Sequence, residues 1–95
     1  IGAIMITEYT EICILCGRPK DDTHHLLNGN NRATCDEDNI TIPLCRKCHT
    51  EIHKNATCEK LCKIIGQLAW ESNYYAEGRT DARKQFLNRY RKSYI

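Results

Sequence analysis

The stretch LCRKCHTEIH, residues 44–53, joins a CxxC pair to two histidines that are four residues apart. The two residues between Cys45 and Cys48 let both sulfurs reach one ion. Positions i and i+4 of a helix project from one face, so His49 and His53 have a spacing that suits a second ion. The stretch therefore predicts a helix that contributes to two metal sites.

A second CxxC pair, Cys13 and Cys16, is separated from the first by 28 residues. Gly17 follows it, and because glycine accepts a positive φ we expect a sharp turn there. Two such pairs complete a tetrahedral site with no open position, which predicts a structural zinc bound by Cys13, Cys16, Cys45 and Cys48. A disulfide framework would have to account for an odd total of seven cysteines.

Two short apolar runs predict a pair of strands between the cysteine pairs. Residues 23–27 and 39–42 have strand composition, residues 28–31 break the first run, and Pro43 ends the second. The polar residues 32–38, which include Cys35, are expected to form a loop. We therefore expect a two-stranded unit that is followed by the helix with His49 and His53.

Two further helices are expected after Asn55, with Thr57 and Thr80 as their N-caps. Apolar residues three and four apart form one stripe on each helix, and we expect the two stripes to pack together. The stripes consist of Cys58, Leu61, Cys62, Ile65, Leu68 and Ala69 on the first helix, and of Phe86, Leu87, Tyr90 and Tyr94 on the second.

The positive charge of the chain is concentrated at its C-terminal end. Residues 78–95 carry six Lys and Arg against one acidic residue, whereas residues 1–77 carry eight against eleven. Such a basic segment is the expected footprint of a contact with phosphates, but a solvated helix face would have the same composition. Both interpretations are open at this point.

The other two histidines, His24 and His25, are adjacent in the first predicted strand. Adjacent strand residues point to opposite faces, so only one of them can join His49 and His53. Three histidine ligands leave positions open for water and a phosphate oxygen, as in catalytic metal sites, and the remaining histidine can act as a base. The alternative is that these histidines pack beside the cysteine pairs or replace a cysteine ligand.

Length and composition limit the chain to a single small domain, residues 1–95. Isoleucine (11), leucine (7) and phenylalanine (1) supply a modest apolar content without any valine, so we expect a metal staple. No apolar run approaches the ~20 residues of a membrane span, and no signal-peptide pattern opens the chain. These features predict an intracellular, cytoplasmic protein that has no membrane partner.

The combined pattern CxxC…HH…N…LCxxCHxxxH resembles that of the zinc-bound HNH endonucleases, which have the ββα-metal fold. It is especially similar to small HNH proteins of phage type that end in a helix like residues 86–94. The resemblance covers residues 12–54 as the core, with residues 57–95 as a helical C-terminal extension. It implies an α+β fold in which a zinc-stapled ββα-metal core precedes two C-terminal helices, in a bacterial or phage-encoded protein.

The resemblance also implies roles for the histidines. His24 would bind the catalytic divalent ion together with His49 and His53, and His25 would be the general base that activates water. The two adjacent histidines could also exchange these roles. Histidine ligands suit zinc, nickel and manganese alike, and magnesium fits a site that also takes substrate oxygens.

A further role implied by the resemblance is that of the middle asparagine. Asn39 would hold the backbone around His25 in position by hydrogen bonds. Cys45 follows Asn39 by six residues, where the family commonly has five. Asn30 and Asn31 are therefore alternatives for this role.

The function implied by the resemblance is a metal-dependent endonuclease that hydrolyses phosphodiester bonds in DNA, with a homodimer or a larger phage or bacterial protein as further partner. The alternatives are a non-catalytic zinc-knuckle module that binds nucleic acid or protein, and a regulatory protein on the same scaffold. Six cations are candidate contacts for phosphates: Arg32, Arg46 and Lys47 near the metal-binding residues, and Arg89, Arg91 and Lys92 in the last helix.

Overall fold

The computed structural model describes residues 6–27 and 32–95, without the side chain of Arg32. Along these residues lie β1 (Asp22–His25), α1 (Arg32–Asp38), β2 (Thr41–Leu44), α2 (Arg46–Lys54), α3 (Ala56–Ala76) and α4 (Ala82–Tyr90). The expected α+β class is confirmed, with a strand pair, a helix and two further helices in the expected order. No helix in this part of the chain is long and apolar enough to cross a membrane.

The two strands pair antiparallel, with Asp22 opposite Leu44 and His25 opposite Thr41. β2 begins two residues later than expected and includes Pro43, so the expectation that this proline ends the strand is wrong. Proline fits here because each strand of a two-stranded sheet has one edge without ladder hydrogen bonds. The carbonyl of Pro43 also accepts the N–H of Ile14 at 3.0 Å, which ties the first CxxC pair to the sheet.

Residues 32–38 form helix α1 and not the expected loop. The thiol of Cys35, fully buried, donates to the carbonyl of Leu27 at 3.0 Å and anchors the helix on its inner side. Asn39 follows the helix at φ 59, a left-handed conformation that asparagine tolerates better than most residues. The polar sequence of α1 does not predict a helix, because α1 is held by tertiary contacts and not by an apolar stripe.

One carboxylate, that of Asp38, fixes α1 to both C-terminal helices. Its Oδ2 accepts hydrogen bonds from Trp70 Nε1 of α3 at 2.9 Å, and from Arg89 Nε and Tyr90 Oη of α4 at 2.6 Å each. Arg89 also donates to Glu37 at 3.0 Å. A carboxylate that accepts several short hydrogen bonds from charged and neutral donors is a strong anchor. We call this network the Asp38 clamp.

The N-cap residues of α3 and α4 differ from those expected. Asn55 ends α2 and also caps α3, because its side-chain oxygen accepts the N–H of Cys58 at 3.1 Å. Thr57 is therefore inside α3 and is not its N-cap. α4 begins after Asp81, one residue later than the expected cap at Thr80.

Helix α3 faces the core with only part of the expected stripe, since Cys62 is buried and Cys58 and Ala69 pack against the core while the large aliphatic residues do not. Leu61, Ile65 and Leu68 are 52%, 48% and 52% exposed. Besides Cys62, the buried positions are Gly66, Gln67 and Glu71, which the stripe does not contain. Of the stripe expected on the last helix, Phe86 and Tyr90 do pack on α3, with ring centroids 5.6 and 6.5 Å from that of Trp70, whereas Leu87 is exposed.

Gly66 lets α3 approach the strand pair closely. A Cβ at this position would lie 3.0 Å from Leu26 Cβ, 3.1 Å from Ile40 Cγ2 and 3.2 Å from Leu27 Cγ. All three neighbours are fully buried, so none can move away without disturbing the core. The glycine thus sets the distance between α3 and the sheet.

We expect Gly66→Ala to destabilise the protein by about 1 kcal/mol, although alanine favours helices. Overpacking costs about 1–3 kcal/mol, which exceeds the gain in helix propensity of about 1 kcal/mol. Thermal unfolding should show a Tm lower by roughly 4–8 °C. Ser72→Ala on the exposed side of the same helix is the control and should not lower Tm; a Gly66→Ala protein of equal or higher Tm would contradict the close packing.

Candidate functional site

The sulfurs of Cys13, Cys16, Cys45 and Cys48 lie within 4.8 Å of one another. Ligands at the ~2.3 Å zinc–sulfur distance of a tetrahedral site would be about 3.8 Å apart, close to this spacing. Local backbone geometry explains the cluster. Gly17 takes φ 77 directly after the first pair, and Cys45 is the N-cap of α2 with its sulfur accepting the N–H of Cys48 at 3.5 Å. The seven cysteines of the chain are all free thiols.

The electrostatics of the four thiols favour a cation among them. Burial would raise the pKa of Cys13, but backbone N–H groups, first that of Cys45, outweigh it and lower this pKa to about 6. The hydrogen bond with Cys45 in contrast raises the pKa of Cys48 to about 12. Thiolates this close repel one another, so all four ionise together only when a positive ion binds them. The donor set fits zinc, which prefers thiolate sulfur.

A second cluster consists of three histidines, His24 on β1 and His49 and His53 on α2. At least one ring nitrogen of each lies within 4.8 Å of the others, and the ring centroids are 4.7 to 5.3 Å apart. Burial, and then the charges of His49 and His53, lowers the pKa of His24 to about 4. A neutral imidazole is the form that binds metals. The cluster contains His24 and not His25, as the resemblance implies. We call it the His triad.

Two carboxylates orient the His triad. Nδ1 of His49 lies 3.1 Å from Asp22 Oδ2, and Nδ1 of His53 lies 2.7 Å from Glu59 Oε1. Ionised carboxylates only accept hydrogen bonds, so both Nδ1 atoms donate and both Nε2 atoms have free lone pairs. These Nε2 atoms are 3.0 Å apart. Two facing lone pairs repel unless a shared proton or a metal ion lies between them, and for a divalent ion the triad provides ligands that are oriented by carboxylates.

Asp22 and Glu59 belong to no motif in the sequence that predicts a metal site. Asp22 lies two residues before His24 on β1, so alternation along the strand places both on one face. Glu59 comes from the first turn of α3 and lies six residues after His53, across the break at Asn55. Alternation could have pointed to Asp22. Nothing in the sequence distinguishes Glu59 from the other acidic residues on helices.

We expect Glu59→Gln to weaken the second metal site about 10- to 100-fold, because an oriented histidine is a better ligand. Isothermal titration of zinc or manganese into protein whose four-cysteine site is already filled measures this affinity. Glu51→Gln, an exposed change on α2, is the matched control and should leave the affinity unchanged. Equal affinities for the two variants would show that Glu59 does not support the site.

His25 and Asn39 lie apart from the His triad. His25 points to the other face of β1, where its Nε2 lies 2.6 Å from Asp36 Oδ1 of α1. Asn39 is exposed, and its side chain forms no hydrogen bond with any residue that the structure describes. The alternatives Asn30 and Asn31 lie outside the described residues. The catalytic roles of these residues stay predictions.

The candidate phosphate contacts do not form one surface. Arg46 is exposed beside the His triad and donates to Asp22 at 3.1 Å, and Lys47 is exposed on the next position of α2. Arg89 is held by the Asp38 clamp, so its charge is already balanced within the protein. Arg91 and Lys92 are exposed after α4. The side chain of Arg32 lies outside the described part of the structure.

A family model with the description "Protein of unknown function (DUF968)" matches residues 7–74. The chain belongs to the DUF968 family. The match includes both CxxC pairs and the His triad with its carboxylates, while α4 lies outside it. Both strands and all residues of the two metal clusters of this DUF968 chain lie within the matched range.

A relative of this DUF968 protein is the uncharacterized protein YdfU of Escherichia coli (strain K12). It is 44% identical over 46 residues, which cover 46% of the chain but only 13% of YdfU. No solved structure matches the chain. The family and relative descriptions name no activity, so the resemblance to HNH endonucleases is carried by the residues and geometry of the site alone.

Proposed function

We propose that this DUF968 chain is a metal-dependent endonuclease of HNH type that hydrolyses phosphodiester bonds in DNA, with a structural zinc on its four cysteines. One observation carries the proposal. The His triad gathers three imidazole nitrogen donors, two of them on rings oriented by carboxylates, and offers no fourth histidine or cysteine from the described residues. Three protein ligands leave coordination positions open, which is typical of catalytic sites and not of structural ones.

Different residues of the chain would have different roles in such a reaction. A divalent ion bound at the His triad would supply the Lewis acidity that stabilises charge on the phosphate. Asp22 and Glu59 keep the lone pairs of His49 and His53 directed at one point. Arg46, exposed beside Asp22, is placed to hold a neighbouring phosphate.

His25 is proposed as the general base. Its Nε2 donates to Asp36, so Nδ1 is the nitrogen with a free lone pair that can take the proton of the attacking water. Asp36 would fix the tautomer and the ring orientation and is therefore a positioning residue. Asn39 is proposed as the middle asparagine of the resemblance, although its side chain forms no hydrogen bond with a described residue.

The proposal is tested by metal analysis together with a plasmid-nicking assay in which magnesium, manganese, nickel and zinc are supplied in turn. We expect two metals per saturated chain and nicked plasmid with at least one ion. His49→Ala should keep one metal and lose both the second metal and the nicking. A wild-type chain that holds a single zinc after saturation, and that nicks nothing, would overturn the proposal and favour a non-catalytic zinc-knuckle module.

A further inference from the structure

A cavity of about 460 Å³ opens between the start of α3 and the residues that follow α4. Three lysines line it, Lys60 and Lys63 from α3 and Lys92 from the C-terminal segment, together with Tyr94. The ammonium groups of Lys63 and Lys92 lie 5.8 and 5.4 Å from the centre of the Tyr94 ring. The ring thus holds two of the three cations beside the same opening. We call this cavity the lysine cavity.

The three lysines have no acidic partner of their own. None of them forms an ion pair with any residue in the described ranges 6–27 and 32–95. The one carboxylate in the cavity wall, that of Glu59, accepts a hydrogen bond from His53 at 2.7 Å. Gathered like charges repel one another, and an anion in the cavity would offset that repulsion.

A buried side chain behind the lysine cavity holds part of the cavity wall in place. Gln67, fully buried in α3, accepts the N–H of Tyr94 at 2.6 Å and donates to Ser93 Oγ at 3.1 Å. These two bonds fix the C-terminal segment against α3. The position of Lys92 and Tyr94 opposite Lys63 is therefore set by the core and does not depend on a mobile surface contact.

The lysine cavity and the His triad have one contacting residue in common, Glu59. Glu59 lines the cavity and also orients His53, so this single residue contacts both sites. A DNA strand that places one phosphate at the triad has its next phosphates within several ångströms along the backbone. Lysine, a compact point charge with a flexible stem, binds phosphates without requiring one fixed geometry.

We propose that the lysine cavity binds consecutive backbone phosphates of DNA beside the phosphate held at the His triad, about one for each of its lysines. This inference rests on the proposed function, and it adds Lys60 and Lys63 to the DNA contacts that the sequence suggested. Binding here neutralises phosphates and releases counterions without reading bases, so it should be independent of DNA sequence.

The test uses His25→Ala protein, in which the proposed base is absent, and a short fluorescent DNA duplex whose binding is followed by anisotropy at several salt concentrations. Lys60→Gln, Lys63→Gln and Lys92→Gln are combined in one variant. We expect about tenfold or greater loss of affinity at low salt, and a salt slope flatter by about two to three units. The control combines Lys20→Gln, Lys54→Gln and Lys84→Gln, which remove the same charge outside the cavity, and should change the slope by less than one unit.

The outcomes separate this inference from the proposed function. Equal slopes for the two triple variants would overturn the lysine cavity as a phosphate site, even if the wild-type protein nicks plasmid. A flatter slope for the cavity variant alone would support it, even if no metal supports nicking, in which case only the endonuclease proposal fails. Circular dichroism of both variants verifies that they are folded, and single substitutions replace the triple variant if it is not.

Discussion

Replacement of Cys45 by serine should unfold the protein. Zinc bound by four thiolates contributes roughly 10–16 kcal/mol to folding in small zinc domains, whereas a domain's net stability is only about 5–15 kcal/mol. Cys45 lies directly after β2 and is also the N-cap of α2, a role that serine fills well, so the expected unfolding comes from the missing zinc ligand. Far-ultraviolet circular dichroism and zinc content, measured on the same sample, report both effects.

The matched control for Cys45 is Cys58→Ser. Cys58 lies half-buried on α3 and outside the four-cysteine cluster, so the same exchange of sulfur for oxygen should leave the fold and the zinc content intact. A Cys45→Ser protein that keeps its zinc and unfolds at the wild-type temperature would refute the structural zinc site.

His25→Ala is expected to reduce plasmid nicking by about 10²- to 10⁴-fold, the usual contribution of a general base. Both metals and the DNA affinity should be retained, because His25 lies on the opposite face of β1 from the His triad. Metal analysis, duplex binding and nicking rates on one preparation separate these effects. Loss of the second metal in this variant would instead make His25 a ligand.

The Asn39→Gly variant tests whether the side chain of the proposed middle asparagine contributes to nicking. Glycine keeps the positive φ of position 39 and removes only the amide, so a fall in nicking would be due to the side chain and not to backbone strain. Unchanged nicking would mean that Asn39 serves only to end α1.

The parts of the molecule that the sequence predicts well are those encoded by short spacings. The CxxC pairs and the i, i+4 histidines are geometric statements about a few neighbouring residues, and the structure brings these side chains together as expected. Strand alternation places His24 and His25 on opposite faces, but only the structure shows that His24 is the one that lies with His49 and His53. These predictions needed no knowledge of the tertiary packing.

The sequence was least informative about the features that tertiary packing determines, which are the buried face of α3 and the formation of α1. A period of three and four residues identifies an apolar stripe on α3, but the face that meets the sheet is chosen by Gly66, whose missing side chain allows a closer contact than Leu61 or Leu68 could make. The sequence of residues 32–38 did not predict helix α1, because the residues that anchor it, Trp70 and Tyr90, lie far away in the chain. Partners at that separation leave no local pattern.

The Asp38 clamp gives the C-terminal helix a means of influencing His25. Arg89 and Tyr90 bind a carboxylate more than fifty residues earlier in the chain, on a helix of seven residues whose Asp36 holds His25 two positions before the clamp. A helix so short has little stability of its own and keeps its shape only while it is docked. If α4 loosened, α1 would shift and the hydrogen bond between Asp36 and His25 would change. The distant helix α4 thereby affects the tautomer and the orientation of the His25 ring.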